Sequence, residues 1–218
     1  MDNQDHMNNN VLKLIKMIIS QHNNLSQCDK MKKPLNENQV KAIRKMTSNN
    51  PLHNLLINLS TDLMLRASDL LKLKVSDVMF ENGKVRETVK VKQKKTRNYT
   101  IDIPLSDHSK KSIVKFLSDK NADDFIFAGQ KSHYTRKAIS TVQYQRIIKN
   151  WMRTLGVDDV SSYSTHSMRK TLASHIYSKT NNVEAVRRLL GHQSVTATSS
   201  YLNVSNDDAT ALAIQHHF

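Results

Sequence analysis

Residues 164–201 read STHSMRKTLASHIYSKTNNVEAVRRLLGHQSVTATSSY, and the fold is decided there. Met168, Leu172 and Ile176 recur at helical spacing, as do Val183, Val186 and Leu190. This predicts helices over about 165–179, 183–190 and 194–202, with Gly191 ending the second. Three pieces remain outside the apolar stripes: His166 with Arg169, Leu190-Gly191-His192, and Tyr201 nine residues after His192. At about 100° per residue, Arg169 projects beside Ile176, at the edge of the buried stripe. A guanidinium there needs an anionic partner. An internal carboxylate and a phosphate gripped by the two-pronged fork both fit. His192 leaves its helix at the negative end, which favours a protonated imidazole able to donate to an oxyanion. Alone, His192 also reads as a surface residue, and Tyr201, Tyr163 and Tyr177 read as packing residues. Taken together, the three pieces suggest a site assembled around a phosphate.

Upstream, residues 1–10 are polar and Asn-rich. Val11, Leu14, Ile15 and Ile18, with Leu12 and Ile19, form a short amphipathic helix, and 23–34 read as a linker. The compact domain is expected from Pro34. Asn36 with Gln39 makes a capping box, and Val40, Ile43 and Met46 face inward. Pro51 opens a helix through Leu55, Leu56, Leu59 and Leu63, and a shorter one spans Ala67 to Leu73. Arg66 lies between them, in the apolar context LMLRASDLL, with Asp69 placed to orient it. The period then becomes two. Val85 to Val91 and Tyr99 to Ile103 predict a hairpin, with Asn98 in the left-handed turn position. Asn82-Gly83 marks an earlier turn. Ser106 caps a helix through Ile113 and Phe116. Residues 139–155 form another, with Val142, Ile147, Trp151 and Leu155 inward and Gly156 at its end. The tail from Asp207 to Phe218 keeps helical period through Ala209, Leu212 and Ala213. The fold class is therefore mainly α with a small antiparallel β-sheet.

The chain has 218 residues and a net charge of +14. That excess points to a polyanionic partner, nucleic acid or an anionic membrane surface, beside the plainer reading of a solubilising surface. The hairpin run Lys90, Lys92, Lys94, Lys95 and Arg97 is a solvated face or a set of phosphate contacts. The single cysteine, Cys28, excludes an intrachain disulfide and fits a reducing cytoplasm. No apolar run approaches the ~18 residues of a membrane span.

From about Pro34 to Tyr201 the chain resembles the catalytic domain of tyrosine recombinases, the phage integrase family. The family pattern is an arginine in a Leu-Arg-x-Ser-Glu-Leu-like context, a hairpin lysine, His-x-x-Arg, Leu-Gly-His and a nucleophilic tyrosine. It falls here on Arg66 (LRASDLL), Lys95 (QKKT), His166 and Arg169 (HSMR), His192 (LLGH) and Tyr201. The departures are Met64, where the family often has glycine, and a hairpin turn without its usual glycine. The second leaves Lys94 beside Lys95 as the hairpin lysine.

The resemblance implies cleavage of double-stranded DNA at a recombination site by Tyr201, through a 3′-phosphotyrosine, without cofactor or metal. Arg66 and Arg169 would hold the phosphate oxygens and Lys95 would protonate the 5′-oxygen. His166 would assist the tyrosine's proton transfer, and His192 would hydrogen-bond the phosphate. Lys92, Lys94, Arg97 and Lys170 are the candidate DNA contacts. Residues 1–33 are then an N-terminal extension, shorter than the helical DNA-binding domain usual in the family. Residues 34–206 are the catalytic domain, and 207–218 a tail that either docks on a neighbouring protomer, as such segments do in the family, or folds back on its own domain. The expected assembly is a homo-tetramer on DNA, with room for accessory DNA-bending proteins, in the cytoplasm at the nucleoid and without a membrane role. Two other classes compete: a non-catalytic DNA-binding regulator on the same fold, and a metal protein using His166, His175 and His192. The second lacks a tight ligand pair, since nine and seventeen residues separate its histidines.

Overall fold

The computed structural model describes residues 32–95, 97–129, 137–202, 204, 210 and 214. The N-terminal amphipathic helix and almost all of the linker and C-terminal tail lie outside them. From Lys33 onward the described residues belong to one compact unit.

Helix α1 (Glu37–Met46) starts at the predicted capping box: Asn36 accepts from the Gln39 N–H, and the Gln39 side chain accepts from the Asn36 N–H. Helix α2 (Pro51–Leu63) is the centre of the fold. Every residue from Asn54 to Leu63 is buried, as in a helix covered on all sides. Leu55, Leu56, Ile57, Leu59 and Leu63 are at most 2% exposed, each contributing about 1.5–3 kcal/mol by burial. Its polar positions are satisfied across helix boundaries. Asn58 donates to Ser112 (2.7 Å), and Asp62 accepts from the Ser106 N–H (2.8 Å) and the Ser109 hydroxyl (2.6 Å).

Short helices α3 (Ala67–Leu70) and α4 (Val75–Val78) follow, then β1 (Thr88–Val89) and β2 (Ile103–Pro104), paired antiparallel. Helix α5 (Asp107–Leu117) is capped by Ser106 and packs on α2. Helix α6 (Thr141–Thr154) and a 3-10 turn (Val160–Ser162) lead to α7 (Thr165–Thr180), α8 (Val183–Leu190) and α9 (Val195–Leu202). Helix α7 packs on the other side of α2.

Several expectations need correction. Met46 and Val142 are 42% and 58% exposed. Thr47 is buried in place of the first, and Tyr144, Ile148 and Met152 join Ile147 and Trp151 on the inner face of α6. The helix expected over Ala67 to Leu73 ends at Leu70. The hairpin holds two-residue strands plus isolated bridges Met79–Val85 and Lys92–Tyr99, shorter than the alternation suggests. A physical reason is visible at its centre: the Val91 N–H donates to the Thr100 hydroxyl (2.9 Å), not to a main-chain carbonyl. The left-handed turn residue is Arg97 (φ 57°), not Asn98.

A second, smaller apolar cluster decides where the site lies. Met64, Ala173, Val186 and Leu190 are buried together, with Leu172, Ile176, Tyr201 and Leu202 packed against them. Met64 ends α2 in the left-handed region at φ 48°, where glycine is favoured. The strain costs about 1–2 kcal/mol and is offset by burying the thioether chain between α2, α7 and α8.

Candidate active site

Helix α7 supplies two of the six predicted side chains from its first turns. Ser164 caps it, accepting from the His166 N–H at 3.1 Å. The positive end of a four-turn helix therefore stands beside Arg169. Arg169 is 3% exposed. Its Nη2 donates to the Leu190 carbonyl at 2.6 Å, while Nη1 is buried without a hydrogen-bond partner. Among the described residues, the ion pairs do not include it. Burial pushes the Arg169 pKa down to about 10, outweighing the nearby Asp69 charge, which favours the protonated guanidinium without pairing with it directly. A buried N–H of this kind calls for an explanation, and an anionic ligand would provide one.

Arg66 enters from the α2–α3 junction. Its backbone is extended (φ −64°, ψ 147°) just before α3, and its Nη1 donates to Gln93 Oε1 at 2.7 Å. The expected partner, Asp69, does something else: its Oδ1 accepts from the Lys94 N–H at 3.1 Å. Asp69 therefore ties the hairpin to α3. Arg66, His166 and Arg169 line one cleft of about 270 Å³, with Ala67, Ser68, Thr141 and Thr165.

The Leu190-Gly191-His192 turn closes the other side. Gly191 has φ 65°, its N–H donates to the Arg188 carbonyl, and the His192 N–H donates to the Arg187 carbonyl, the paired bonds of a Schellman ending. Arg187 holds His192 twice, because its Nη1 also donates to the His192 carbonyl at 2.7 Å. Glu184 fixes Arg187 in turn through two oxygens, at 2.6 and 2.8 Å.

His192 Nδ1 and the Ser194 carbonyl each lie 3.1 Å from the Thr198 hydroxyl. The hydroxyl orients the imidazole through its contact with Nδ1 in either tautomer. The protonated imidazole expected from the helix end is not what the structure supports. Burial first, then the nearby charges of Arg169 and Arg66, push the His192 pKa down to about 4. Burial and the two guanidinium groups together favour the neutral ring.

Tyr201 sits edge-on to His192, ring centroids 5.3 Å apart. Its hydroxyl donates to the His166 main-chain carbonyl at 3.4 Å. Burial raises its pKa to about 12, against the pull of Arg169 and Arg66. The shared electrostatics put Arg66, Arg169, His192 and Tyr201 in one place. His166 reaches the group through its carbonyl and the cleft wall, with its side chain exposed.

Lys95 lies on the exposed hairpin turn beside Lys94, and no described contact carries it into the cleft. Lys92, Lys94 and Arg97 are exposed there too. Lys170 differs from a surface lysine: it is 6% exposed, with its ammonium 5.3 Å from the centre of the Tyr201 ring. Gln93, Arg187 and Thr198 were missed by the sequence reading. Gln93 directly precedes the lysine pair, and Glu184 three residues before Arg187 is a helix ion-pair spacing, but neither signal names its partner.

Among the described residues, no group of three His, Cys, Asp or Glu side chains is placed to hold a metal. Nor is any helix there long and apolar enough to cross a membrane.

Known proteins give the chain a family and a fold. Residues 33–207 match the model of the "Phage integrase family". The chain is 30% identical over 147 residues to "Probable integrase/recombinase YoeC" of Bacillus subtilis, covering 67% of this chain and 75% of that protein. It is 27% identical over 172 residues to a "Tyrosine recombinase" of Pseudothermotoga lettingae, covering 78% of this chain and 56% of the relative. Against XerC of Oceanobacillus iheyensis it spans 49% of the relative's length, at 26% identity over 70% of this chain. Among solved structures, the fold is similar to XerA recombinase (TM-score 0.68, 19% identity, 88% of this chain and 68% of that one). It is similar also to the catalytic domain of bacteriophage HP1 integrase (TM-score 0.54, 18% identity, 85% and 95%). With residues 33–207 matched by the family model and a relative 30% identical over 67% of this chain, the chain belongs to the phage integrase family, the tyrosine recombinases.

Proposed function

We propose that this tyrosine recombinase is a site-specific DNA strand-breaking and rejoining enzyme whose nucleophile is Tyr201. The observation that carries the reading is Arg169: a guanidinium side chain only 3% exposed, with no direct ion pair among the described residues and Nη1 without a hydrogen-bond partner, influenced by the adjacent Tyr201 phenol and the Asp69 charge. A phosphodiester oxygen between Arg169 and Arg66 satisfies that nitrogen and places phosphorus within reach of the tyrosine.

In the proposed step the Tyr201 oxygen bonds to phosphorus and the bond to the 5′-oxygen breaks. The products are a 3′-phosphotyrosine and a 5′-hydroxyl. The phosphodiester energy is kept in the covalent link, so a second strand's 5′-hydroxyl can reverse the chemistry without an external energy source. Arg66 and Arg169 stabilise the charge of the pentavalent transition state. Lys95, on its hairpin arm, gives the proton to the departing 5′-oxygen. His166 and His192 serve the phenol's proton and the phosphate. The neutral His192 of the free protein keeps one ring nitrogen as an acceptor, and a bound phosphate shifts it toward the protonated donor. Lys92, Lys94 and Arg97 on the exposed hairpin supply salt-sensitive contacts to DNA phosphates.

The same proposal extends to the assembly. Residues 34–206 act as the catalytic domain, and four copies assemble on DNA in the cytoplasm, with 207–218 exchanged between neighbours. XerH site-specific recombinase, solved bound to its palindromic difH substrate, has a fold similar to this one (TM-score 0.63, 20% identity, 86% of this chain and 54% of that one) and supports DNA as the partner. The test is covalent capture on a pool of nicked duplexes with randomised flanks. The wild-type protein should be recovered with DNA after denaturation, and Tyr201→Phe should not. Adducts that survive Tyr201→Phe would move the nucleophile elsewhere, with Tyr177 the next candidate.

A further inference from the structure

Gln93 is a polar side chain with 2% exposure on an otherwise exposed turn. Its two amide ends point to different parts of the site. Oε1 accepts from Arg66 Nη1 at 2.7 Å, and Nε2 donates to the Leu190 carbonyl at 3.3 Å. The same carbonyl accepts from Arg169 Nη2 at 2.6 Å. Arg66 and Arg169 are therefore joined by a chain of hydrogen bonds through two neutral groups, the Gln93 amide and the Leu190 peptide.

The neutrality matters. Two guanidinium groups in one buried site repel each other, and Arg66 lowers the pKa of Arg169. A carboxylate between them would relieve the repulsion by cancelling charge needed for a phosphate. An amide orients Arg66 and leaves its charge intact. Room for the amide comes from Gly191: a Cβ there would lie 2.7 Å from Gln93 Nε2 and 3.3 Å from Oε1. The glycine thus serves the turn (φ 65°) and the close approach of the hairpin together. Next in sequence, the Lys94 N–H is held by Asp69, so the arm bearing Lys95 is fixed at its root.

We propose that Gln93 is a positioning residue of the recombination site, setting Arg66 against Arg169 for the scissile phosphate and latching the lysine-bearing hairpin to the Leu190–Gly191 turn. The proposal rests on the recombinase reading above. It concerns an uncharged residue outside the six-residue motif set, acting through Arg66.

The test uses nicked duplexes recovered by covalent capture on the wild-type protein from the randomised pool. They are resynthesised with either oxygen or sulfur at the bridging 5′ position. A sulfur leaving group departs without a proton, so it relieves a defect in leaving-group protonation but not one in phosphate binding. Single-turnover cleavage by Gln93→Met should fall about 100-fold, the scale of an ångström-level misplacement. The loss should be equal on both substrates, with the melting temperature of the whole chain recorded alongside. Lys95→Ala should be slow only on the oxygen substrate. Gln93→Glu, which preserves shape and the Arg66 contact, should cleave more slowly still because it neutralises Arg66.

Wild-type cleavage rates in Gln93→Met, or in Gln93→Glu should the methionine variant not fold, overturn the proposal. So does recovery of Gln93→Met on the sulfur substrate, which would place the residue's effect on the leaving-group side. A wild-type protein that forms no Tyr201-dependent adduct with any member of the pool sinks the recombinase reading itself. A failure confined to Gln93 leaves those adducts intact.

Discussion

Arg169 and Lys95 serve the same phosphate in the proposed mechanism, yet one is 3% exposed inside packed helices and the other stands on an exposed turn. The arginine side is preorganised: α7 is capped at Ser164, α8 ends on Gly191, and the Leu190 carbonyl receives the guanidinium. The hairpin side rests on two-residue strands and is tied to the site at its root, through Gln93 and the Lys94 N–H. The contrast suits the two tasks. Charge stabilisation gains most from fixed dipoles in a site with little water. A proton donor has to reach an oxygen that moves away as the bond breaks, and an arm hinged at its base allows that.

The largest effect expected from breaking this arrangement is at Tyr201. Tyr201→Phe removes one oxygen and keeps the ring that packs against the small cluster of Met64, Ala173, Val186 and Leu190. Folding and DNA binding should persist while covalent DNA adducts vanish from denaturing gels. On the hairpin, Lys95→Ala should slow strand cleavage by roughly 10²–10⁴-fold, the usual contribution of a positioned acid. Lys94→Ala should chiefly weaken DNA binding as salt rises. The reverse pattern in a single-turnover assay would assign the acid to Lys94. On the rigid side, Arg169→Lys keeps a charge but loses the fork and the Leu190 bond. Cleavage should fall about 10²–10³-fold, and near-wild-type rates would break the phosphate reading at that position.

Two smaller effects sharpen the comparison. His192 has its folded-state pKa pushed down to about 4, below the ordinary value of about 6.5. Between those values the unfolded chain binds a proton that the folded one refuses, so this residue's contribution to stability falls as pH drops from about 6.5 toward 4. An NMR titration of the His192 ring should show the low value in the free protein and a rise when orthovanadate occupies the site. An unshifted imidazole near pH 6.5 would contradict the buried, doubly cationic surroundings described above. At Met64, Met64→Gly relieves the left-handed strain, worth about 1–2 kcal/mol, but deletes a buried side chain worth about 2–5 kcal/mol. Chemical denaturation should show a net loss on the order of 1–3 kcal/mol. A gain in stability would mean that the small cluster tolerates the void.

Legibility in the sequence followed the range of the interactions. The Asn36–Gln39 capping box, the Ser106 cap, the bounds of α7 to α9 and the Gly191 ending all depend on residues a few positions apart, and all were predictable. The resemblance singled out Arg66, Arg169, His192 and Tyr201 by type and order, and the structure brings these four side chains together. Expectations that failed had left local pattern to decide a question of packing. Val142 and Met46 keep helical period but face outward, since the period does not say how far a neighbouring helix extends. Asn98 was the better turn residue by propensity, yet Arg97 holds the left-handed position.

What the amino-acid sequence determined by itself was most of the helices, the family and the candidate site residues. Tertiary structure decided the electrical state of those groups and their supports. The helix-end argument made His192 a cation, whereas burial, helped by the guanidinium groups of Arg169 and Arg66, makes it neutral. Lys170 belongs to a basic surface by sequence and lies buried against Tyr201 in space. Gln93 carries no signal in the chain, because its partners are 27 and 97 residues away. Desolvation and charge act through space, and so these properties exist only once distant segments have been packed into one site.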